Sequence, residues 1–304
     1  MFSIIIPLYN KAEYIVETIK SVLNQSFTDF EVIIVDDAST DGSLHLAEKI
    51  KDSRIRIFTK ANEGVSAARN FGISKATRPI LAFLDADDKW EPDYLKIVLQ
   101  MIKTYPDAGI FATGYYMNNK EKTFLNHIPH FPQMGIIDYF KYSYRHGMSI
   151  CITSAVCVKR SIALEMPMFR KGIKRGEDID VWLRVCLKYP MVFYNEPLMA
   201  YRTDTPNSLS VNYTNALEEF PYHEWFSHAT NNKYYRKYVV TTIYLFAKNA
   251  FLAKDYGTCY NNLIQIHNVE PMIKCHKRIT LIFFSFFMNL LHRKKLKSCD
   301  SFTS

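Results

Sequence analysis

The sequence predicts an α/β fold, a mostly parallel sheet with flanking helices, followed by a helical C-terminal region. Three observations carry that expectation. The runs Ser3–Leu8, Phe30–Val35 and Ile80–Leu84 are apolar except at Ser3 and Glu31, nearly continuous as buried parallel strands are, whereas half-exposed strands alternate. Stretches with helical spacing lie between these runs, so strand and helix alternate along the chain. That rhythm breaks near Tyr116, and beyond residue 210 the apolar residues fall at helical spacing. The expected organisation is 1–115 and 116–210 as two halves of one domain, with 211–304 as the helical region.

Taken in order, Ser3–Leu8 is closed by the turn chemistry of Pro7-Leu8-Tyr9-Asn10. Ile15, Ile19, Val22 and Leu23 then share one helical face over 12–24. The run Phe30–Val35 ends in Asp36-Asp37. Asp41 or Ser43 can cap a helix carrying Leu46, Ala47 and Ile50, and 54–58 alternates like an edge strand. Past Asn62-Glu63-Gly64, a helix bearing Val65, Ala68 and Gly72 leads into Ile80–Leu84. Pro92 opens the next predicted helix, through Leu95, Val98, Leu99 and Ile102, and 109–115 is a further strand. A loop-rich stretch precedes a strand-like run over 150–158, and Gly176-Glu177-Asp178 opens a helix with Trp182, Leu183 and Cys186 on one face. The C-terminal third predicts helices over 217–229, 234–254, 256–266 and 277–291, the aromatic stripe of 234–251 reading as core.

Composition narrows the function classes. Of 304 residues, 48% are hydrophobic and 14% aromatic, enough for a sizeable packed core rather than a disordered chain. A formal charge of +8 points to anionic partners. Its basic residues are dispersed with no aromatic-basic recognition motif, which argues against nucleic acid. Six cysteines show no C-x-x-C pair and no zinc spacing, so they read as reduced thiols of a cytoplasmic protein. The N-terminus lacks a basic n-region and reads directly as a strand, not as a signal peptide.

The most informative stretch is 80–93, where an apolar strand runs into Asp85, Asp87 and Asp88. Those carboxylates fall at the carboxyl end of a parallel strand, the edge at which open α/β sheets bind ligands. Asp85 and Asp87 together suit a hard cation such as Mg²⁺ or Mn²⁺ bridging nucleotide phosphates. Asp88, Glu91 and Asp93 read instead as dipole complements of the helix opening at Pro92, and Glu177-Asp178 has the same plain alternative. Neither G-x-G-x-x-G nor G-x-x-x-x-G-K-[ST] is present, which disfavours a dehydrogenase or P-loop enzyme.

With Ser-Ile-Ile-Ile-Pro-Leu-Tyr-Asn10, Val-Asp-Asp37, Asn62-Glu-Gly-Val-Ser-Ala-Ala-Arg-Asn70, Phe-Leu-Asp-Ala-Asp-Asp88 and Gly-Glu-Asp178 in this order, the chain resembles family 2 glycosyltransferases of the GT-A fold over residues 1–210. The resemblance implies a nucleotide-sugar donor, typically a UDP-sugar. It also implies Mn²⁺ or Mg²⁺ on the diphosphate and inversion at the anomeric carbon by direct displacement. Carried over by position, Pro7 and Tyr9 frame the nucleobase and ribose, Asp37 bonds the base, and Arg69 approaches the diphosphate, an exposed helix arginine being its plain alternative. Asp87 is the expected metal ligand, with Asp85 facing ribose or metal. Asp178 is the catalytic base, and Arg202 stands where a donor-contacting residue is often found. No Q-x-x-R-W follows Asp178, so the resemblance implies transfer of a single sugar, hexosyl or hexosaminyl, in bacterial surface polysaccharide or glycolipid assembly.

The competing classes are a sugar nucleotidyltransferase, disfavoured because the first turn, Leu8-Tyr9-Asn10-Lys11, has no glycine, and a non-catalytic nucleotide-sugar-binding protein, disfavoured by Asp178. At the C-terminus, 279–291 is apolar but too short for a span of about 20 residues, and it runs into His-Arg-Lys-Lys-Leu-Lys297. That pattern predicts a helix lying on an anionic membrane surface, and the resemblance implies a saccharide or lipid-linked saccharide acceptor met at the inner face of the plasma membrane. A buried helix with a solvated tail is the alternative.

Overall fold

A computed structural model describes residues 1–117, 126–173, 176–202, 222–227 and 232–269. One compact unit takes the described residues to 142 with 149–172 and 176–202; a second takes 143–148, 173, 222–227 and 232–269.

The first unit opens with β1 (Phe2–Leu8), α1 (Ile15–Leu23), β2 (Phe30–Asp36), α2 (Ser43–Glu48), β3 (Ile55–Thr59), α3 (Val65–Lys75) and β4 (Ile80–Phe83). It continues through β5 (Lys89–Trp90), α4 (Tyr94–Thr104), β6 (Ile110–Met117), β7 (Met134–Ile137), α5 (Tyr139–His146, of which 143–146 are counted with the second unit), a 3₁₀ turn (Thr153–Ala155), β8 (Val156–Lys159), α6 (Arg160–Glu165), α7 (Glu177–Lys188) and β9 (Met191–Tyr201). The strands form one sheet in the order β3-β2-β1-β4-β8-β6-β9-β5, with β7 also on β9. Strands β1 to β4 run parallel, as do β6 and β9, while β8 is antiparallel to both its neighbours.

The apolar residues of β1 explain the layers. Phe2, Ile4, Ile6 and Leu8 join Ile15, Ile19 and Val22 of α1 and Leu95, Val98 and Met101 of α4 in one buried cluster. Ile5 faces the other way, toward α3, where a Cβ on Gly72 would lie 2.5 Å from Ile5 Cγ2; glycine lets that helix approach the strand. Phe169 bridges Phe83 of β4 and Trp182 of α7 through edge-to-face contacts. Both faces of the central strands are therefore covered, which is why those strands read as continuous apolar runs.

Several expectations are corrected. The helix expected from Pro92 starts at Tyr94, with Pro92 and Asp93 forming the turn between β5 and that helix. The strand-like run 150–158 contains the 3₁₀ turn and becomes a strand only at Val156. Strands β5, β7 and β9 and helices α5 and α6 add to the expected elements; β7 and β5 are four and two residues long, too short to show a period.

In the second unit, α8 (Tyr222–Ser227), α9 (Lys233–Leu252) and α10 (Tyr256–Val269) follow helical spacing. Asn232 caps α9, its Oδ1 accepting from the Tyr234 and Tyr235 amides. Tyr235, Tyr238 and Phe246 are buried, so the aromatic stripe is core, as expected. Cys151, Cys157, Cys186 and Cys259 are free thiols. No helix among the described residues is long and apolar enough to cross a membrane. The 207–210 loop and the helix expected over 277–291 with its basic tail lie outside the described residues.

Candidate active site

The predicted residues converge on the carboxyl ends of β1, β2 and β4. Because β1 lies between β2 and β4, this edge contains the point where strand order reverses, the preferred ligand crevice of an open α/β sheet. Pro7 sits where the crevice opens. The β1–β4 ladder ends at Ile5 opposite Phe83, so the amide that proline lacks is not needed there.

Beyond Pro7 the turn is fastened to the loop after β2. The Asn10 amide donates to Ser39 Oγ, the Thr40 amide to Asn10 Oδ1, the Lys11 amide to Ser43 Oγ and the Ala12 amide to Asp41 Oδ2. Asn10 adopts φ 50°, a conformation asparagine tolerates. Tyr9 is left 48% exposed, a free aromatic surface at the crevice. Asp37 is buried, its Oδ1 accepting from Lys60 Nζ at 2.8 Å and the Glu63 amide at 3.1 Å, its Oδ2 from the Gly64 amide at 2.8 Å. Gly64 has φ 87°, so the loop can aim that amide at the carboxylate. Burial lowers the pKa of Lys60, but bonds and charge from Asp37 and Glu63 outweigh it and hold the ammonium above its ordinary value. Asp36 accepts from the Ser39 amide.

Asp85 and Asp87 follow β4 and both meet cations. Lys11 Nζ lies 2.5 Å from Asp87 Oδ2, and Arg69 Nη2 lies 2.7 Å from Asp85 Oδ1. Arg69 is not the exposed helix arginine of the plain alternative: it is buried on α3, its Nη1 sits 2.6 Å from Glu177 Oε1, and its guanidinium lies 5.0 Å from the Phe169 ring centroid. Burial opposes its charge, yet Asp85 and Glu177 together raise its pKa. Asn70 holds the same joint, donating to the Phe169 carbonyl and accepting from its amide. The Arg69-Asn70 pair thus ties α3 to the segment leading into α7.

Asp88 corrects the reading of acidic residues as dipole complements of the helix after Pro92, whereas Glu177 does lie in the first turn of α7 and pairs with Arg69 as well. Asp88 is buried; its Oδ2 accepts from Ser154 Oγ at 2.6 Å and its Oδ1 from the Arg202 amide at 3.0 Å. Burial, then the charges of Asp87 and Asp85, raise its pKa well above the carboxylate range. Glu177 is buried against Arg69. The other two also have partners: Tyr116 Oη donates to Glu91 and Ser26 Oγ to Asp93.

Asp178 lies half-buried in the first turn of α7, accepting from Thr153 Oγ1 at 3.3 Å and from the Ile179 amide at 2.8 Å. Burial and then the Glu177 charge push its pKa up to about 7, with Arg69 pulling the other way. A carboxylate tuned near neutrality suits a general base. Arg202 lies just after β9; its Nε donates to the Asp87 carbonyl, its Nη2 pairs with Glu17 at 2.8 Å, and its guanidinium lies 4.7 Å from the Tyr14 ring centroid.

Sequence reasoning missed Lys11, Thr153 and Ser154 as site residues. Lys11 is in the turn that was noted only for lacking glycine. The two hydroxyls sit in an otherwise apolar run, which was the available sign. Among the described residues, no group of three or more His, Cys, Asp or Glu could hold a metal by itself. The donors at the edge are the two carboxylates of Asp85 and Asp87, which fits a hard cation that takes one or two carboxylates and completes its shell with phosphate oxygens and water.

Fold and edge together define an α/β sheet protein with an acidic ligand crevice whose carboxylates pair with Lys11 and Arg69. A sequence model described as "Glycosyl transferase family 2" matches residues 3–166, and the chain belongs to that family. Among relatives, it is 32% identical over 255 residues to "Putative teichuronic acid biosynthesis glycosyltransferase TuaG" of Bacillus subtilis, covering 82% of this chain and 96% of that one. It is 31% identical over 260 residues to an uncharacterised glycosyltransferase of Rickettsia conorii, covering 80% of this chain and 39% of that longer protein. Among solved structures, S. aureus TarS 1-349 in complex with UDP gives a TM-score of 0.67 at 17% identity, with 97% and 91% of the two chains covered. The UDP-GlcNAc complex gives 0.60 at 16% identity, with 93% and 79% covered. The expected GT-A architecture agrees with that likeness. Family membership also sets aside the nucleotidyltransferase alternative.

Proposed function

We propose that this chain transfers one sugar from a UDP-sugar donor to a hydroxyl acceptor with inversion at the anomeric carbon. The observation that carries the reading is Asp178, set half-buried at the start of α7 and linked through its neighbour Glu177 and Arg69 to Asp85 just past β4. The acceptor oxygen attacks the anomeric carbon as the bond from that carbon to the diphosphate oxygen breaks; its proton passes to Asp178, and UDP leaves. General-base assistance of this kind contributes about 10²- to 10⁴-fold.

Tyr9 and Pro7 frame the base and ribose, Asp37 bonds the base through its remaining lone pairs, and Arg202 faces the donor beside Asp87. Arg69 acts through Asp85 and Glu177. Asp87, with Asp85 beside it, would hold Mn²⁺ or Mg²⁺, which when bound supplies Lewis-acid stabilisation to the departing diphosphate. A hexosyl or hexosaminyl donor and a role in surface polysaccharide assembly are supported by the teichuronic acid relative and by the UDP-GlcNAc complex of TarS. A cytoplasmic location with peripheral membrane contact, and a lipid-linked acceptor, rest on the apolar-then-basic pattern of 279–297.

A panel of nucleotide sugars incubated with purified protein and Mn²⁺ tests this. Release of UDP from a UDP-sugar, lost on chelation and restored by Mn²⁺, is expected; no release from any donor, or release indifferent to chelation, contradicts it. Flotation with anionic vesicles at low salt tests the membrane contact, which truncation after Thr280 should abolish.

A further inference from the structure

We propose that Thr153 and Ser154 are positioning residues that register the donor-side turn Asp85–Asp88 against the base Asp178. The topology brings them there. Strand β8 is inserted antiparallel beside β4, with Ala82 opposite Cys157 and Ile80 opposite Lys159. The residues that precede β8 are thereby delivered to the carboxyl end of β4, and continuing the register sets Ser154 beside Asp85.

The contacts use that placement fully. Ser154 is buried, and its Oγ accepts from the Asp85 amide at 3.0 Å while donating to Asp88 Oδ2 at 2.6 Å. One hydroxyl thus spans both ends of the acidic turn. The Ser154 carbonyl accepts from Trp90 Nε1 at 2.7 Å, which carries the same clamp past the turn into β5. On the far side, Thr18 Oγ1 of α1 bonds the carbonyls of Ala86 and Asp88, both at 2.9 Å. Asp88 passes the constraint to the Arg202 amide. The adjacent hydroxyl, that of Thr153, donates to Asp178 Oδ2. Two consecutive residues of one 3₁₀ turn therefore hold the Asp178 carboxylate and, through the Asp85 amide and the Asp88 carboxylate, the turn that carries Asp85 and Asp87. A misplacement of about 1 Å in such a pair costs on the order of 10²-fold in rate, so a rigid common mount has direct consequence.

This inference rests on the glycosyl-transfer reading, and the experiment separates their failures. Amide hydrogen exchange on the full chain, without substrate, compares wild type with Ser154→Ala and Thr153→Val. Faster exchange over 85–90 in Ser154→Ala and over 177–180 in Thr153→Val is expected. Calorimetry with UDP and Mn²⁺ should then show binding weakened about tenfold in Ser154→Ala, the loss of one charge-linked hydrogen-bond chain, and unchanged in Thr153→Val. With the fastest donor of the panel, Thr153→Val should lower kcat about tenfold at unchanged KM, and Thr153→Ser, which keeps the hydroxyl, should restore it. Exchange indistinguishable from wild type in both variants overturns the proposal. So does a uniform loss of kcat and UDP affinity in both variants that follows their melting temperatures. If Asp178→Asn turns over normally, the transfer mechanism fails instead, while the exchange and UDP arms still decide whether the turn is held this way.

Discussion

The two ends of the parallel strands treat their carboxylates in opposite ways. At the amino end, Glu31 of β2 is held by Ser3 Oγ, the Thr77 amide and hydroxyl, and Arg56 Nη1, at 2.7 to 3.0 Å. Burial alone would raise its pKa, but those donors outweigh it and draw the carboxyl down to about 2. At the carboxyl end, burial and mutual repulsion push Asp88 well above the carboxylate range and Asp178 up to about 7. One end spends its acid on stability; the other crowds acids that would be more stable neutral, as expected where a cationic or proton-accepting task is prepared. Lys11 and Arg69 partly neutralise that crowd.

Substitutions at the two ends should therefore have opposite signatures. The largest effect is expected from Asp87→Asn, which should nearly abolish turnover and remove the Mn²⁺ dependence of UDP binding measured by calorimetry. Unchanged metal dependence in that variant would take the metal reading from Asp87. Asp178→Asn should lower kcat about 10²-fold or more with donor affinity kept. Its stability should rise, because a carboxyl with a raised folded pKa loses stability as pH climbs from its unfolded value near 4 toward about 7. Discounted for partial exposure, the gain is about 1 kcal/mol, or roughly 2 °C. A variant both inactive and less stable would break the comparison.

Glu31→Gln should do the reverse, keeping kcat while losing about 1.5–3 kcal/mol at pH 7 with its charge-assisted bonds. The sign follows from the depressed pKa: the stabilisation is present above the unfolded value near 4.3 and fades as pH falls toward 2. Chemical denaturation of both proteins at pH 7 and pH 3 should show the gap narrowing in acid. Gly72→Ala, away from both ends, should cost about 1–3 kcal/mol by forcing α3 off Ile5, with turnover falling only as far as Arg69 and Asn70 on the same helix are displaced.

The same comparison shows what the sequence could reveal. The donor edge was legible because each element there is contiguous, an apolar strand followed at once by its functional residues, as in Phe83-Leu84-Asp85. Pro7, Tyr9, Asp37, Asp85 and Asp87 are accordingly found at neighbouring strand ends. What was hidden is assembled from afar. Ser154 is 69 residues from Asp85 and Arg69 is 108 from Glu177, and no local pattern announces an antiparallel strand inserted between β4 and β6. Of three acids within four residues, spacing could not say that Asp88 turns inward to Ser154 while Asp87 turns to Lys11; tertiary partners decide that. Strand β9 carries Asn195, Glu196 and Pro197 in its middle and a register shift against β6, which erased the period that would have marked it.

The central claim, that Asp178 is a base tuned toward neutrality by its half-buried place beside Glu177, is tested most directly by the pH dependence of kcat for wild type and Asp178→Asn with one donor and acceptor. The wild-type rate should rise with pH through a limb near 7 and then level, since the ionised carboxylate is the active form, and the limb should vanish with the residual activity of Asp178→Asn. A wild-type rate flat across that range, or the same limb surviving in Asp178→Asn, would contradict it.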